Sequence, residues 1–198
     1  MKTKRKQDTE RLVLVSLLTA LVAVLSYLGG FIKIGGLASI SLTLIPVVLG
    51  AALCGPYVGA WLGGVSGAVF FMTADAVFWF GLSIPGTIIT VIVKGVASGF
   101  LAGLAYRLLE KFNRYVAVFV SAVIAPVVNT SIFLLGCLVF FMDTVNAGAA
   151  AEKMNVGGYL IIFFVGLNFV FELLVNILLS PAILRIINIK KKRKSIRS

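Results

Sequence analysis

The chain has 198 residues, 60% of them hydrophobic and only 13% charged, with a mean hydropathy of +1.09. That leaves too little polar surface to coat a water-soluble globule of this size. The net charge of +11 would suit a nucleic-acid binder, but fifteen of the eighteen Lys and Arg are clumped before Leu12, within 107–114 and from Arg185 onward. Basic clusters flanking apolar runs follow the positive-inside rule for cytoplasmic ends and loops. The expected partner of this charge is therefore the lipid bilayer, with the basic tail against anionic headgroups, and not nucleic acid.

The apolar runs set the elements. No charged side chain lies between Leu12 and Ile32, between Ile34 and Ala74, or from Tyr115 to Met142. Each run reaches the ~20 residues that cross a hydrocarbon core. The basic start ahead of Leu12 resembles a signal peptide, but its apolar run exceeds the ~7–15 residues of a signal core and no small-residue cleavage site follows. It reads as a retained first span, about 10–27, closed by Gly29-Gly30. The run from Ile34 to Ala74 would measure about 61 Å as one helix, so it must turn, at Cys54-Gly55-Pro56-Tyr57. That gives a second span at about 41–54, with Ser41 as its cap, and a third at about 57–72.

Residues 73–84 read as an outer loop with Trp79 at headgroup level. A fourth span follows at about 85–109, opened by Pro85, and leads through a basic inner loop to a fifth at about 115–142. A polar outer loop, 143–155, precedes the sixth span at about 158–187. The fold class expected is all-α: one integral membrane domain of six transmembrane helices, with basic cytoplasmic tails at 1–9 and 188–198.

Gly59, Gly63 and Gly67 form a double small-xxx-small row, the pattern that permits close contact between helices. Ordinary packing within the bundle is its plainer reading. On the first span, Ser16 with Ala20 and Thr19 with Ala23 have the same spacing, and a partner subunit suits them as well as internal packing does. Cys54 and Cys137 fall at different depths, so neither a disulfide nor a metal site is expected from them.

Polar side chains in hydrocarbon are costly unless paired or facing a cavity. The spans contain Lys94, Asn129, Asn168, Glu172 and Asn176, the last three four residues apart on one helical face. Measured from the cytoplasmic helix ends, Lys94 and Glu172 lie about 18 Å up, Asn129 about 21 Å and Asn168 about 24 Å. Four groups from three spans thus share one layer. They form either a buried Lys94–Glu172 ion pair with backbone-bonded asparagines, or the floor of an outward-opening pocket shaped by spans four to six. The two arrangements are compatible.

Several chemistries are missing. There is no G-x-x-x-x-G-K-[ST] phosphate loop, no histidine, no G-x-S-x-G and no pair of membrane carboxylates. No enzyme activity, cofactor or metal is expected. Nor does the sequence show an inverted repeat or a broken helix of the sort found in many secondary transporters.

Certain stretches are more specific: Ser41-Leu-Thr-Leu-Ile-Pro-Val-Val-Leu-Gly50, Gly55-Pro-Tyr-Val-Gly-Ala60, Pro126-Val-Val-Asn-Thr-Ser-Ile-Phe133, and Asn168-Phe-Val-Phe-Glu-Leu-Leu-Val-Asn176 followed by Ser180-Pro181. From Leu12 to Ile187 the chain resembles the substrate-binding S components of energy-coupling factor (ECF) transporters, and within them the pantothenate-type branch. The resemblance implies high-affinity binding of a vitamin in an outward-facing pocket of a bacterial plasma-membrane protein. It also implies association with a transmembrane coupling subunit and two ATPases, which would hydrolyse the ATP. Carried over, the pocket residues are Lys94, Asn129, Thr130, Asn168 and Glu172, with Asp75 and Trp79 as gate residues. Ser16, Thr19, Ala20 and Ala23 would form the docking face, although they depart from the family's plain Ala-xxx-Ala. Folate, a queuosine precursor or another vitamin stays open as cargo, and a proton-coupled secondary transporter is the contrasting reading.

Overall fold

The computed structural model describes residues 2–30 and 42–196, and among them every regular element is helical. The long helices are α1 (Lys2–Gly29), α3 (Pro56–Phe70), α5 (Ile84–Leu109), α6 (Arg114–Phe140) and α9 (Gly166–Ile196). Shorter ones intervene: α2 (Leu44–Cys54), α4 (Ala74–Leu82), α7 (Met142–Ala151) and α8 (Val156–Tyr159). Ser41, the expected cap of the second span, lies outside the described residues.

Helix α5 is central, with α3 on one side and α6 on the other; α1 leans on α2 and α3, and α9 on α6. The glycine row of α3 explains the tightest of these contacts. Gly59 and Gly63 lie against the backbones of Gly99 and Gly95 on α5, and Gly67 against Val91, so the two helices run antiparallel in close backbone contact. The packing expected of this row is internal, and its partner row is Gly95, Gly99 and Gly103. The turn at Gly55 also follows from residue type: its φ of 99° is left-handed backbone that only glycine adopts freely. Arg11 donates to the Cys54 carbonyl at 2.8 Å, placing a cation at the C-terminus of α2.

Among the described residues, four helices are long and apolar enough to cross a membrane: Asp8–Gly29, Ile84–Leu109, Arg114–Phe140 and Phe169–Ile189. A fifth crossing results if Pro56–Phe70 and Ala74–Leu82, bent by 83°, count as one. Helix α2 is apolar, but its 11 residues rise only about 16 Å.

Several expectations need correction. Most of the segment 73–84 forms α4 rather than a loop, because Thr73 precedes it in extended geometry and Asp75 in its first turn complements the helix dipole. Trp79 accordingly does not project from a loop; it is buried against Phe133 and Phe141. Most of the polar segment 143–155 is α7, whose alanines favour a helix. The last span is not one helix over 158–187. A π-helical turn, Leu160–Val165, ends at Gly166 (φ 20°, ψ −143°), and α9 then continues to Ile196, through most of the supposed tail. The first helix likewise begins at Lys2. A broken helix, unexpected from the sequence, is therefore present.

Candidate substrate site

Lys94 is the one charged side chain of the central α5 between its ends. Gly95, next in sequence, is pressed against the Gly63 backbone, which fixes the rotation of α5 and turns Lys94 to its cavity. The ammonium lies 4.9 Å from the Phe133 ring centre and 5.7 Å from that of Phe70. Such cation–π contacts hold a lysine by about 0.5–2 kcal/mol, more when desolvated. The carboxylates whose charge reaches it are Glu172 and Asp75, both buried.

The cavity beside Lys94 encloses about 50 Å³. Its polar lining comes from five elements. Asn129 of α6 is buried there, and among the described residues its amide has no protein hydrogen bond. Three hydroxyls face it from the other side: Ser26 of α1, Thr43 just before α2, and Ser66 of α3. The Ser26 hydroxyl donates to the Ser66 carbonyl at 3.0 Å, and the Thr43 and Ser66 hydroxyls bond to each other at 3.0 Å. Ser98 also borders the cavity but is engaged, donating to the Gly95 carbonyl. No carboxylate is among the described lining residues.

Thr43 occupies the cap position of α2, yet its backbone is in the right-handed helical region (φ −69°, ψ −18°) and its hydroxyl makes no capping bond. A capping threonine would contribute about 1 kcal/mol. Its hydroxyl is turned to Ser66 and the cavity instead. This arrangement of one cation, one open amide and a hydroxyl cluster in an apolar bundle suits an anionic, hydrogen-bonding ligand. At about 10–15 Å³ of this space per water, the cavity has room for a few waters, so a larger ligand extends beyond it or parts its walls.

The structure brings Lys94 and Asn129 to one cavity, but that cavity is not set among spans four to six. It lies among α1, α2, α3 and α5, with Asn129 the contribution of α6. Thr130 is half-buried and not in the described lining, and neither is Glu172, whose backbone carbonyl accepts from the Asn176 amide at 2.8 Å. The Asn168 side chain lies outside the described residues, two positions after the break at Gly166. Asp75 and Trp79 are buried on α4. Trp79 meets Phe133 edge-on at 5.4 Å, and Phe133 in turn lies under Lys94. On α1, Ser16 and Ala20 are exposed, whereas Thr19 and Ala23 are half-buried; Thr19 accepts a hydrogen bond from the Trp61 indole at 3.3 Å. Sequence reasoning missed Ser26, Thr43 and Ser66. Their only signal was the recurrence of hydroxyls in otherwise apolar stretches.

A family model described as "ECF transporter, substrate-specific component" matches residues 10–184. No curated protein and no solved structure matches the chain.

Proposed function

The chain belongs to the substrate-specific components of ECF transporters, and from that premise we propose that it captures a small anionic vitamin, pantothenate, in the cavity around Lys94. Membership makes it a membrane protein and the substrate-binding part of a transporter rather than an enzyme, working with ECF coupling and ATPase modules. The choice of cargo rests on one observation: a cation, an unengaged amide and three hydroxyls converge on one cavity with no carboxylate in its described lining. A carboxylate can take Lys94 from its aromatic rings, and neutral polar groups of the ligand can bond the amide and hydroxyls.

The proposed topology has six crossings, the short α2 and the bent pair α3–α4 included, with both ends at the cytoplasmic face of a bacterial plasma membrane. The basic residues before Leu12 and after Leu184 support that orientation. The break at Gly166 does not by itself favour ion coupling, since the family match continues through it to residue 184.

Calorimetry on the purified protein in detergent, against a vitamin panel led by pantothenate, tests the cargo. Saturable sub-micromolar binding of pantothenate is expected. Binding of a different vitamin, or of none by folded protein, overturns the assignment.

A further inference from the structure

We propose that Thr43 contacts the substrate and determines specificity, reading with Ser26 and Ser66 a hydroxyl group at the end of the molecule remote from its carboxylate. The inference rests on the substrate reading above and goes beyond it by dividing the cavity into two functions. Lys94 and Asn129 approach from α5 and α6. The hydroxyls approach from α1, α2 and α3 and are linked through Ser66.

The hydrogen-bond inventory supports a reading role. Ser26 directs its proton to the Ser66 carbonyl. One proton lies between the Thr43 and Ser66 oxygens, and either can supply it. If Thr43 supplies it, Ser66 can point its own proton to Ser26, 3.4 Å away, and Thr43 faces the cavity as an acceptor. If Ser66 supplies it, Thr43 has a proton to donate into the cavity. A chain that reverses in this way accommodates a ligand hydroxyl, itself donor and acceptor, without leaving a buried group unpaired. Thr43 is also where a local preference is given up, since its hydroxyl leaves the helix start it would otherwise cap. Departures of that kind concentrate at functional sites.

Three probes separate the two functions: pantothenate, its alcohol analogue pantothenol, which lacks the carboxylate, and a deoxy analogue that keeps the carboxylate but lacks the hydroxyls. By calorimetry on the full-length protein, Thr43→Val should weaken pantothenate and pantothenol alike by about tenfold and leave the deoxy analogue unchanged. Lys94→Met should weaken pantothenate and the deoxy analogue but not pantothenol. Thr43→Ser keeps the hydroxyl and should recover most of the affinity, which shows that the valine variant acts through the lost hydroxyl. Equal losses for all three probes with Thr43→Val, or no loss at all, overturn the role of Thr43 and leave the substrate reading standing. A parent protein that binds none of the probes overturns the substrate reading, and this inference with it.

Discussion

Gly63 and Gly95 meet backbone to backbone: a Cβ on either would run into the carbonyl oxygen of the other. The contact sits one residue from Lys94 and on the cavity wall, so helix packing and ligand chemistry are set by the same few atoms. Helices α3 and α5 can hardly slide or separate without losing this fit. The α1 side is held more lightly, by Leu18 and Val22 together with the polar contacts of Arg11, Thr19 and Ser26. Widening of the cavity is therefore expected from α1 and α2 moving against a fixed α3–α5 pair.

The first prediction concerns that pair. Gly63→Ala and Gly95→Ala each force the helices apart, and overpacking of this kind costs about 1–3 kcal/mol. Thermal unfolding in detergent should show a clear loss for both. Gly81→Ala is the control, because a Cβ there meets nothing within 4 Å; it should be neutral or slightly stabilising. Equal thermal stability for all three would show that the pair tolerates separation.

The amide of Asn129 supports no neighbour among the described residues, so the fold gains little from it. Asn129→Ala should lower substrate affinity by about fivefold, the equivalent of one hydrogen bond near 1 kcal/mol, with little change in unfolding temperature. Asn168→Ala is expected to behave the same way. Lys94→Ala should reduce both affinity and yield, since it removes the cation near the buried Glu172 and Asp75. Parent-like binding by both asparagine variants would remove them from the site.

Trp79 is only 5% exposed and joins Phe133 and Phe141 in edge contacts. Trp79→Ala should therefore destabilise the fold by about 3–5 kcal/mol, while Trp79→Phe should retain most of that packing. A gate without structural weight would give the opposite result: parent-like unfolding for Trp79→Ala together with faster ligand release in stopped-flow fluorescence.

These residues also show what was legible in the sequence. The glycine row of α3 could be read because three glycines four residues apart define a helix face, but a face does not name its partner, and Gly95 and Gly99 emerged only with the fold. Lys94 and Asn129 stood out because hydrocarbon makes such groups costly. Ser26, Thr43 and Ser66 did not, because a hydroxyl in a membrane helix can bond its own backbone, as Thr19 does to Val15, and so carries little penalty. Helix α4 and the break at Gly166 were missed for a related reason. In nearly uniform apolar sequence there is no alternation of polar and apolar faces to give the helical period or mark where it stops.

The last prediction concerns α1. Its outward side combines exposed Leu17, Leu21 and Val24 with the small exposed residues Ser16 and Ala20, while Thr19 is turned inward to Trp61. The four-residue docking face expected from sequence thus divides, and Ser16 with Ala20 is the half that a coupling subunit could approach closely. Ala20→Trp adds bulk there without touching the cavity. It should leave substrate affinity of the isolated protein unchanged, but abolish co-purification with the coupling module and, with it, uptake into vesicles. Thr19→Val removes the acceptor for Trp61, and its effect should appear in thermal stability before it appears in transport. If Ala20→Trp assembled and transported like the parent, this side of α1 would face lipid, and the coupling subunit would have to dock elsewhere on the bundle.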